Sequence, residues 1–200
     1  MNGTAQGRAT ESEPQISYEW PEAMDSGLGG HVVELYNDSI RTEDILGYQQ
    51  PLSPDEGRQV IARLGEAMTR REKYFFGIYS HTRLIGMALL TPNLLPNCRH
   101  MVEWSKGLIH SSFRGRGVLQ PALKALAARC AVMGWEIVTL DVRADSRSHR
   151  IWSLAGFQEY GRLPDYARIG ARSYAGVYMY ARASDIGRDL EGSTGEHHAG

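Results

Sequence analysis

The spacing of apolar positions along the chain changes period several times, and each change marks a new element. Ile16 to Trp20 alternates as a strand does. From about Gly29 to Ile40, the residues Val32, Val33, Leu35 and Tyr36 recur at helical spacing and predict a helix with one apolar face. Ser53-Pro54-Asp55-Glu56 places an N-cap, a proline and acids where a second helix starts, and Val60, Ile61, Leu64 and Met68 continue it. Tyr74 to Tyr79 and Leu84 to Leu90 are apolar runs separated by the polar Ser80-His81-Thr82-Arg83, the pattern of an antiparallel hairpin. Leu94 to Asn97 is a loop, and Arg99 to His110 a long fourth strand.

The second half continues with a helix from about Val118 to Met133, carrying Leu123, Leu126, Ala127 and Cys130 on one face. A buried-looking strand spans Glu136 to Val142 and a short helix Ser148 to Leu154. Two further strands are expected over Phe157 to Arg162 and Tyr174 to Tyr180, joined by a Leu163–Ser173 loop. The order βααββ-βαβαββ predicts an α/β (α+β) domain with a mixed central sheet flanked by helices. Polar, Gly- and Ser-rich stretches at 1–14 and 185–200 are expected as disordered tails around a single domain at 15–184. His197 and His198 fall in such a tail, where adjacent histidines are solvated rather than metal-binding, so no metal is expected.

Composition narrows the class without naming it. Two hundred residues, 42% hydrophobic and 22% charged, bury a core without disulfides or metals. A net charge of −1 argues against a nucleic-acid partner. Cys98 and Cys130 are too few for a disulfide framework and suit reduced packing residues. No stretch reaches the ~20 apolar residues of a membrane span, and the polar N-terminus does not look like a signal peptide. A cytoplasmic protein with no membrane partner is expected.

The candidate chemistry sits at the strand–turn–helix junction Phe113-Arg114-Gly115-Arg116-Gly117-Val118. Glycines let backbone approach a ligand, and the free N–H groups of a helix start attract anions. With two guanidiniums beside them, a diphosphate is the expected guest. No Gly-Lys-Ser/Thr follows, so the turn is not a P-loop, and the third spaced glycine of a dinucleotide fingerprint is missing.

Here the chain resembles the GNAT superfamily of N-acetyltransferases. Their acetyl-CoA loop reads Gln/Arg-x-x-Gly-x-Gly/Ala, and Arg114-Gly115-Arg116-Gly117-Val118-Leu119 matches it except at Leu119, where a small residue is usual. The family's Asn-x-x-Ala-x-x-Leu-Tyr-x-x-x-Gly-Phe is similar to the stretch Asp145 to Phe157, which ends in Gly156-Phe157. Asp145 stands for the Asn and Trp152 for the Tyr. The resemblance implies a GNAT-type, mostly antiparallel sheet and acetyl-CoA as co-substrate. It also implies a backbone grip on the pantetheine arm by Leu108, Ile109 and His110, with the Ile109 N–H as oxyanion donor. Glu103 occupies the place of the family's glutamate base. Burial beside Trp104 is expected for it, with Lys106, three residues on, pointing to the opposite face. His110 is expected to be positional rather than a proton relay.

Trp152 cannot serve as the usual acid, because an indole N–H does not transfer its proton. Tyr160 and Tyr166 are the candidates in its place, unless the thiolate leaves unaided. Tyr174, Tyr178 and Tyr180 alternate and are expected to pack across strands. The acceptor site is expected in the variable segments, which offer Tyr36, Asp38, Asn97, Asp165 and Tyr166 as an acidic and aromatic lining for a cationic small-molecule amine. Acetylation of a protein lysine or N-terminus, and a silent acyl-CoA-binding module, are the competing expectations. Dimers are common among proteins of this resemblance, so a homodimer is a further expectation.

Overall fold

A computed structural model describes residues 15–42 and 46–188. Along them run β1 (Ile16–Glu19), α1 (Ser26–Thr42), α2 (Pro54–Thr69), β2 (Tyr74–Ser80), β3 (Arg83–Pro92), β4 (Met101–Ile109) and α3 (Leu119–Met133). They are followed by β5 (Ile137–Arg143), α4 (Arg147–Leu154), β6 (Gln158–Ile169) and β7 (Arg172–Arg182). This is the βααββ-βαβαββ order that the periodicity predicts.

Local chemistry sets the helix ends. Ser53 and Glu56 form a reciprocal capping box at the start of α2, with the Ser53 N–H donating to Glu56 Oε2 at 2.8 Å. Asp25 Oδ1 accepts from the Leu28 N–H at 2.8 Å and opens α1. α3 stops at Gly134, whose φ of 70° places it in the left-handed region that glycine enters at little cost.

The seven strands form one sheet in the order β1-β2-β3-β4-β5-β7-β6. Every neighbouring pair is antiparallel except β4 and β5, which run parallel. α1 and α2 cover one face of the β2–β3–β4 half, where Val32, Leu35, Phe75, Met87 and Leu108 pack together. α3 lies on the other face, over Phe76, Leu90, Val138, Val177 and Met179. Burial of this apolar surface from both sides is the main stabilising term.

Two expectations are corrected. The Leu163–Ser173 segment is largely strand: β6 runs on to Ile169 and turns directly into β7. Its pairing with β7 skips from Leu163↔Gly176 to Ala167↔Tyr174, so Pro164-Asp165-Tyr166 bulge out of an otherwise continuous ladder. The packed chain also continues past residue 184, because Ile186 is buried in the α3-side core and the Gly187 N–H donates to the Ala155 carbonyl at 3.0 Å. The expected tails at 1–14 and beyond 188, with His197 and His198, lie outside the described residues. Among the described residues no helix is long and apolar enough to cross a membrane.

Candidate active site

β4 and β5 are paired over only three rungs, Met101↔Ile137, Val102↔Val138 and Glu103↔Thr139. Beyond Glu103 the two strands diverge, and the sheet opens into a cleft. A bulge in β4 falls in the same stretch: Leu89 faces Ser105 and Met87 faces Leu108, so Lys106 and Gly107 share the place opposite Ala88. Lys106 takes a left-handed φ of 52° to make the bulge. The extra residue reverses the face of everything after it. Leu108 joins the α1-side core on the same face as Ser105, which simple alternation would not allow.

The bulge also sets the backbone. The His110 N–H donates to the Ile85 carbonyl at 2.8 Å, so His110 is turned toward β3. In an antiparallel ladder its neighbour Ile109, opposite Gly86, must then turn its N–H and C=O away from β3 and into the opening. The Ile109 carbonyl accepts from Arg114 Nε at 2.8 Å. Of the three residues expected to present backbone to a pantetheine arm, Ile109 is the one oriented for it and Leu108 lines the cleft. His110 is corrected: its backbone N–H is spent on β3, and its ring is held on the α1 side by Ser112 Oγ at 2.7 Å and Arg83 at 3.2 Å.

Two cavities meet at this opening. One, of about 880 Å³ including its mouth, runs between β4, the start of α3 and α4 and is walled mainly by apolar side chains such as Leu119, Leu123 and Ile151. The other holds Glu103, Lys106, Asp141 and Tyr166. Ala88, Gly107, Leu108, Ser148 and Trp152 line both, so they mark the junction. Trp152 stands edge-on to Trp104 and Phe157, which fixes its plane, and its Cζ2 lies 3.4 Å from where a Cβ on Gly107 would be.

The Arg114–Leu119 turn forms the outer end of the first cavity. Gly115 and Gly117 have φ of 73° and 75°, conformations that disfavour other residues. Val118 heads α3 with no side chain bonded to the first-turn N–H groups, so these amides face outward. Arg114 and Gly115 line this cavity. The Arg114 guanidinium braces the turn, donating to Ile109 O and to Thr42 Oγ1 at 3.0 Å and lying 3.8 Å from Asp38. Arg116 is exposed, with its guanidinium 5.9 Å from the Phe113 ring centroid. Arg147 and Ser148, at the start of α4, also line the cavity. Sequence reasoning missed both, although Ser148 and Trp152 are four apart and therefore share a helix face. Leu119, at the family's small position, puts its side chain into the cavity wall.

The other expected residues separate into those the cleft gathers and those it leaves out. Glu103 is in the second cavity but exposed, while Trp104 is buried on the opposite face, so the expected burial does not occur. Lys106, opposite Ala88 at the bulge, lines the same cavity as Glu103. Burial against the cleft walls lowers the pKa of its ammonium, opposed by the Asp141 carboxylate and reinforced by Lys73. The Tyr166 hydroxyl donates to Asp141 Oδ2, and burial together with that carboxylate raises the phenol far above its ordinary value.

Tyr160 is corrected: it is 58% exposed on edge strand β6, packed against Tyr178 and Tyr180, and lines neither cavity. Asp145 is exposed outside the first cavity, and Ser146 caps α4 in its place, accepting from the His149 N–H at 3.1 Å. Tyr36 is buried in the α1-side core, Asn97 is exposed on its loop, and Asp165 pairs with Arg168 and Ser173. Asp38 is taken up by Ser111 and so is no acceptor ligand. Among the expected acceptor residues, Tyr166 alone lines the cleft.

No family model matches the sequence, and no curated protein matches it. Solved structures do match the fold. A putative acetyltransferase from Salmonella typhimurium, solved with its cofactor acetyl-CoA, is 15% identical, with 84% of this chain and 94% of that one aligned at a TM-score of 0.68. A putative phosphinothricin N-acetyltransferase is 14% identical, with 84% and 99% aligned at 0.69. The ribosomal-protein-alanine N-acetyltransferase from Brucella melitensis is 17% identical, with 84% and 99% aligned at 0.65. The splayed seven-stranded sheet and its flanking helices are thus the fold of the GNAT-family N-acetyltransferases.

Proposed function

We propose that the protein transfers an acetyl group from acetyl-CoA to the primary amine of a small molecule within a ternary complex. The observation that carries this reading is the meeting of two cavities at Gly107, Leu108, Ser148 and Trp152, beside the last paired rung of β4 and β5. The residues present fit an acyl-CoA: an outward-facing helix start behind two left-handed glycines for the diphosphate, an apolar wall, and the Ile109 N–H where a strand partner is lacking. The co-substrate supplies an activated thioester when bound.

The second cavity is the acceptor side. Glu103 takes the proton that the acceptor ammonium must lose before its nitrogen can attack. The Ile109 N–H donates to the carbonyl oxygen as negative charge develops there. Trp152 and Leu108 hold the junction dry. Tyr166 keeps its proton on Asp141 and shapes the acceptor wall. A protein acid is not required, since a thiol with a pKa near 8.5 is a tolerable leaving group.

The test is release of free CoA thiol on incubation with acetyl-CoA and pooled primary amines, for the wild type and Glu103→Gln. Turnover with small amines that falls about 10²- to 10⁴-fold in Glu103→Gln supports the reading. Turnover on peptides alone would assign the protein to the protein acetylases, and acetyl-CoA binding without turnover would make it a silent binding module.

A further inference from the structure

An enzyme that delivers acetyl groups to primary amines also exposes its own lysines to them, and this chain has few. Of its 22 lysines and arginines, only Lys73, Lys106 and Lys124 are lysines. The rest are arginines, whose guanidinium stays protonated and is no acyl acceptor. Lys124 is exposed on α3 and lines neither of the two cavities that meet at the junction. Lys73 reaches the acceptor cavity, but its ammonium is tied to Thr91 Oγ1 at 2.8 Å. Lys106 differs from both. It is open to the acceptor cavity and sits at the bulge opposite Ala88, directly before Gly107, which lines both cavities.

The flexible four-carbon stem of Lys106 starts one residue from the junction, a Cα spacing of ~3.8 Å. Among the described residues no hydrogen bond fixes its ammonium. Asp141 attracts it within the cavity, and Oδ2 of that carboxylate already accepts from the Tyr166 hydroxyl. The cleft walls lower the ammonium's pKa, which raises the fraction present as nucleophilic free amine. Resting on the acetyltransferase reading, we propose that Lys106 is a site of self-acetylation, modified by its own chain when acetyl-CoA is bound and no amine occupies the acceptor cavity. The deprotonated Lys106 nitrogen forms the amide bond to the acetyl carbon, and the carbon–sulfur bond of the thioester breaks. Of the two protons that the nitrogen loses, one ends on the CoA sulfur and one in solvent. The product amide is uncharged, so Asp141 loses its attraction to Lys106 and the acceptor cavity becomes more acidic.

In the experiment the full chain is incubated with isotopically labelled acetyl-CoA and no added amine, and peptide mass spectrometry follows label at Lys73, Lys106 and Lys124. Label is expected on Lys106, at a rate constant that stays the same when the protein is diluted. That rate should exceed the one in the urea-unfolded chain, at equal acetyl-CoA, by about 10²-fold or more, because delivery within one molecule replaces a bimolecular encounter. Lys106→Arg should abolish the fast label. Pooled primary amines should slow it in the wild type as they take the acetyl group instead. Equal label on the three lysines, a rate matched by the unfolded chain, or a rate constant proportional to protein concentration would overturn the proposal. If free amines are acetylated and Lys106 stays unmodified, the enzyme reading stands and self-acetylation fails. If Lys106 is labelled by its own chain but no small amine is turned over, self-acetylation stands and the small-molecule reading fails.

Discussion

The ring of Tyr166 lies on the Cα of Gly176. A Cβ at Gly176 would come within 2.4 Å of Tyr166 Cγ and 2.5 Å of Cδ2, closer than any side chain tolerates. Gly176 stands opposite Arg143 on β5 and Leu163 on β6, where the β6 ladder begins to bulge. The bulge lifts Tyr166 out of the strand, and the missing side chain on β7 lets its ring settle flat enough to meet Asp141 on β5.

Gly176→Ala is therefore expected to expel the Tyr166 ring without unfolding the sheet. The cost to stability is about 1–3 kcal/mol, typical of overpacking a well-packed site. In a thiol-release assay the acceptor KM should rise with little change in acetyl-CoA affinity. Tyr166→Phe separates ring from hydroxyl: it keeps the packing and loses only the bond to Asp141. A Gly176→Ala protein with wild-type KM for its best amine would show that Tyr166 does not form the acceptor wall.

The turn before α3 makes a different kind of prediction. A Cβ at Gly115 or Gly117 meets no atom within 4 Å, so substitution there is penalised by backbone conformation rather than by collision. Gly117→Ala should cost about 1–2 kcal/mol, the penalty of a left-handed L-residue, in thermal or denaturant unfolding. If the outward amides of α3 receive a diphosphate, the same variant weakens acetyl-CoA binding by calorimetry more than it weakens acetyl-pantetheine binding. Equal losses for both ligands would separate the turn from the diphosphate.

The fold was legible because each element announces itself locally. The capping box at Ser53 and Glu56, the alternation of β2 and the α3 face at Leu123, Leu126 and Cys130 need no distant information. Of the candidate site, the sequence pattern anticipates the left-handed turn at Gly115 and Gly117 and the presence of Glu103 in a cavity at the strand opening. The return of Leu108 to the α1-side face is not legible, because the bulge opposite Ala88 leaves no trace in the pattern of β4 itself. Arg114 lines the first cavity as a guanidinium beside glycines suggests, but its bracing role is not legible locally. Its partners Thr42 and Asp38 are 72 and 76 residues away in sequence, out of reach of local reasoning. Tyr160 and Tyr166 are six residues apart, yet the bulge at Pro164-Asp165-Tyr166 turns only the second into the cleft.

Trp152 at the junction can be tested against the tyrosine that the resemblance places there. Trp152→Tyr keeps an aromatic wall but loses the edge contacts with Trp104 and Phe157. Large-to-small change at such a site costs about 1–3 kcal/mol. If a proton donor near the thiolate limits the rate, kcat rises in Trp152→Tyr despite the lost packing. If the thiolate leaves unaided, kcat is unchanged or falls, and pre-steady-state mixing shows no faster thiol release.

Asp38 ties α1 to the end of β4 and makes stability depend on acid. Burial alone would raise its carboxyl, but the Ser111 hydroxyl and N–H at 2.6 and 2.8 Å, with His110 and Arg114 nearby, outweigh it and hold the pKa below the usual carboxylate value of 3.8. A carboxyl depressed in the folded state contributes stability that is fully present above its unfolded pKa, about 3.9, and is lost as pH falls through the lower folded value. The effect therefore lies below about pH 4 and leaves neutral stability at its plateau. Asp38→Asn is expected to lose about 1–3 kcal/mol at pH 7, where an uncharged amide accepts less strongly and His110 and Arg114 lose their counter-charge. Its unfolding curve should then change less between about pH 4 and pH 2 than that of the wild type. Urea unfolding at a series of pH values measures both quantities, and parallel acid limbs for the two proteins would place the acid sensitivity elsewhere.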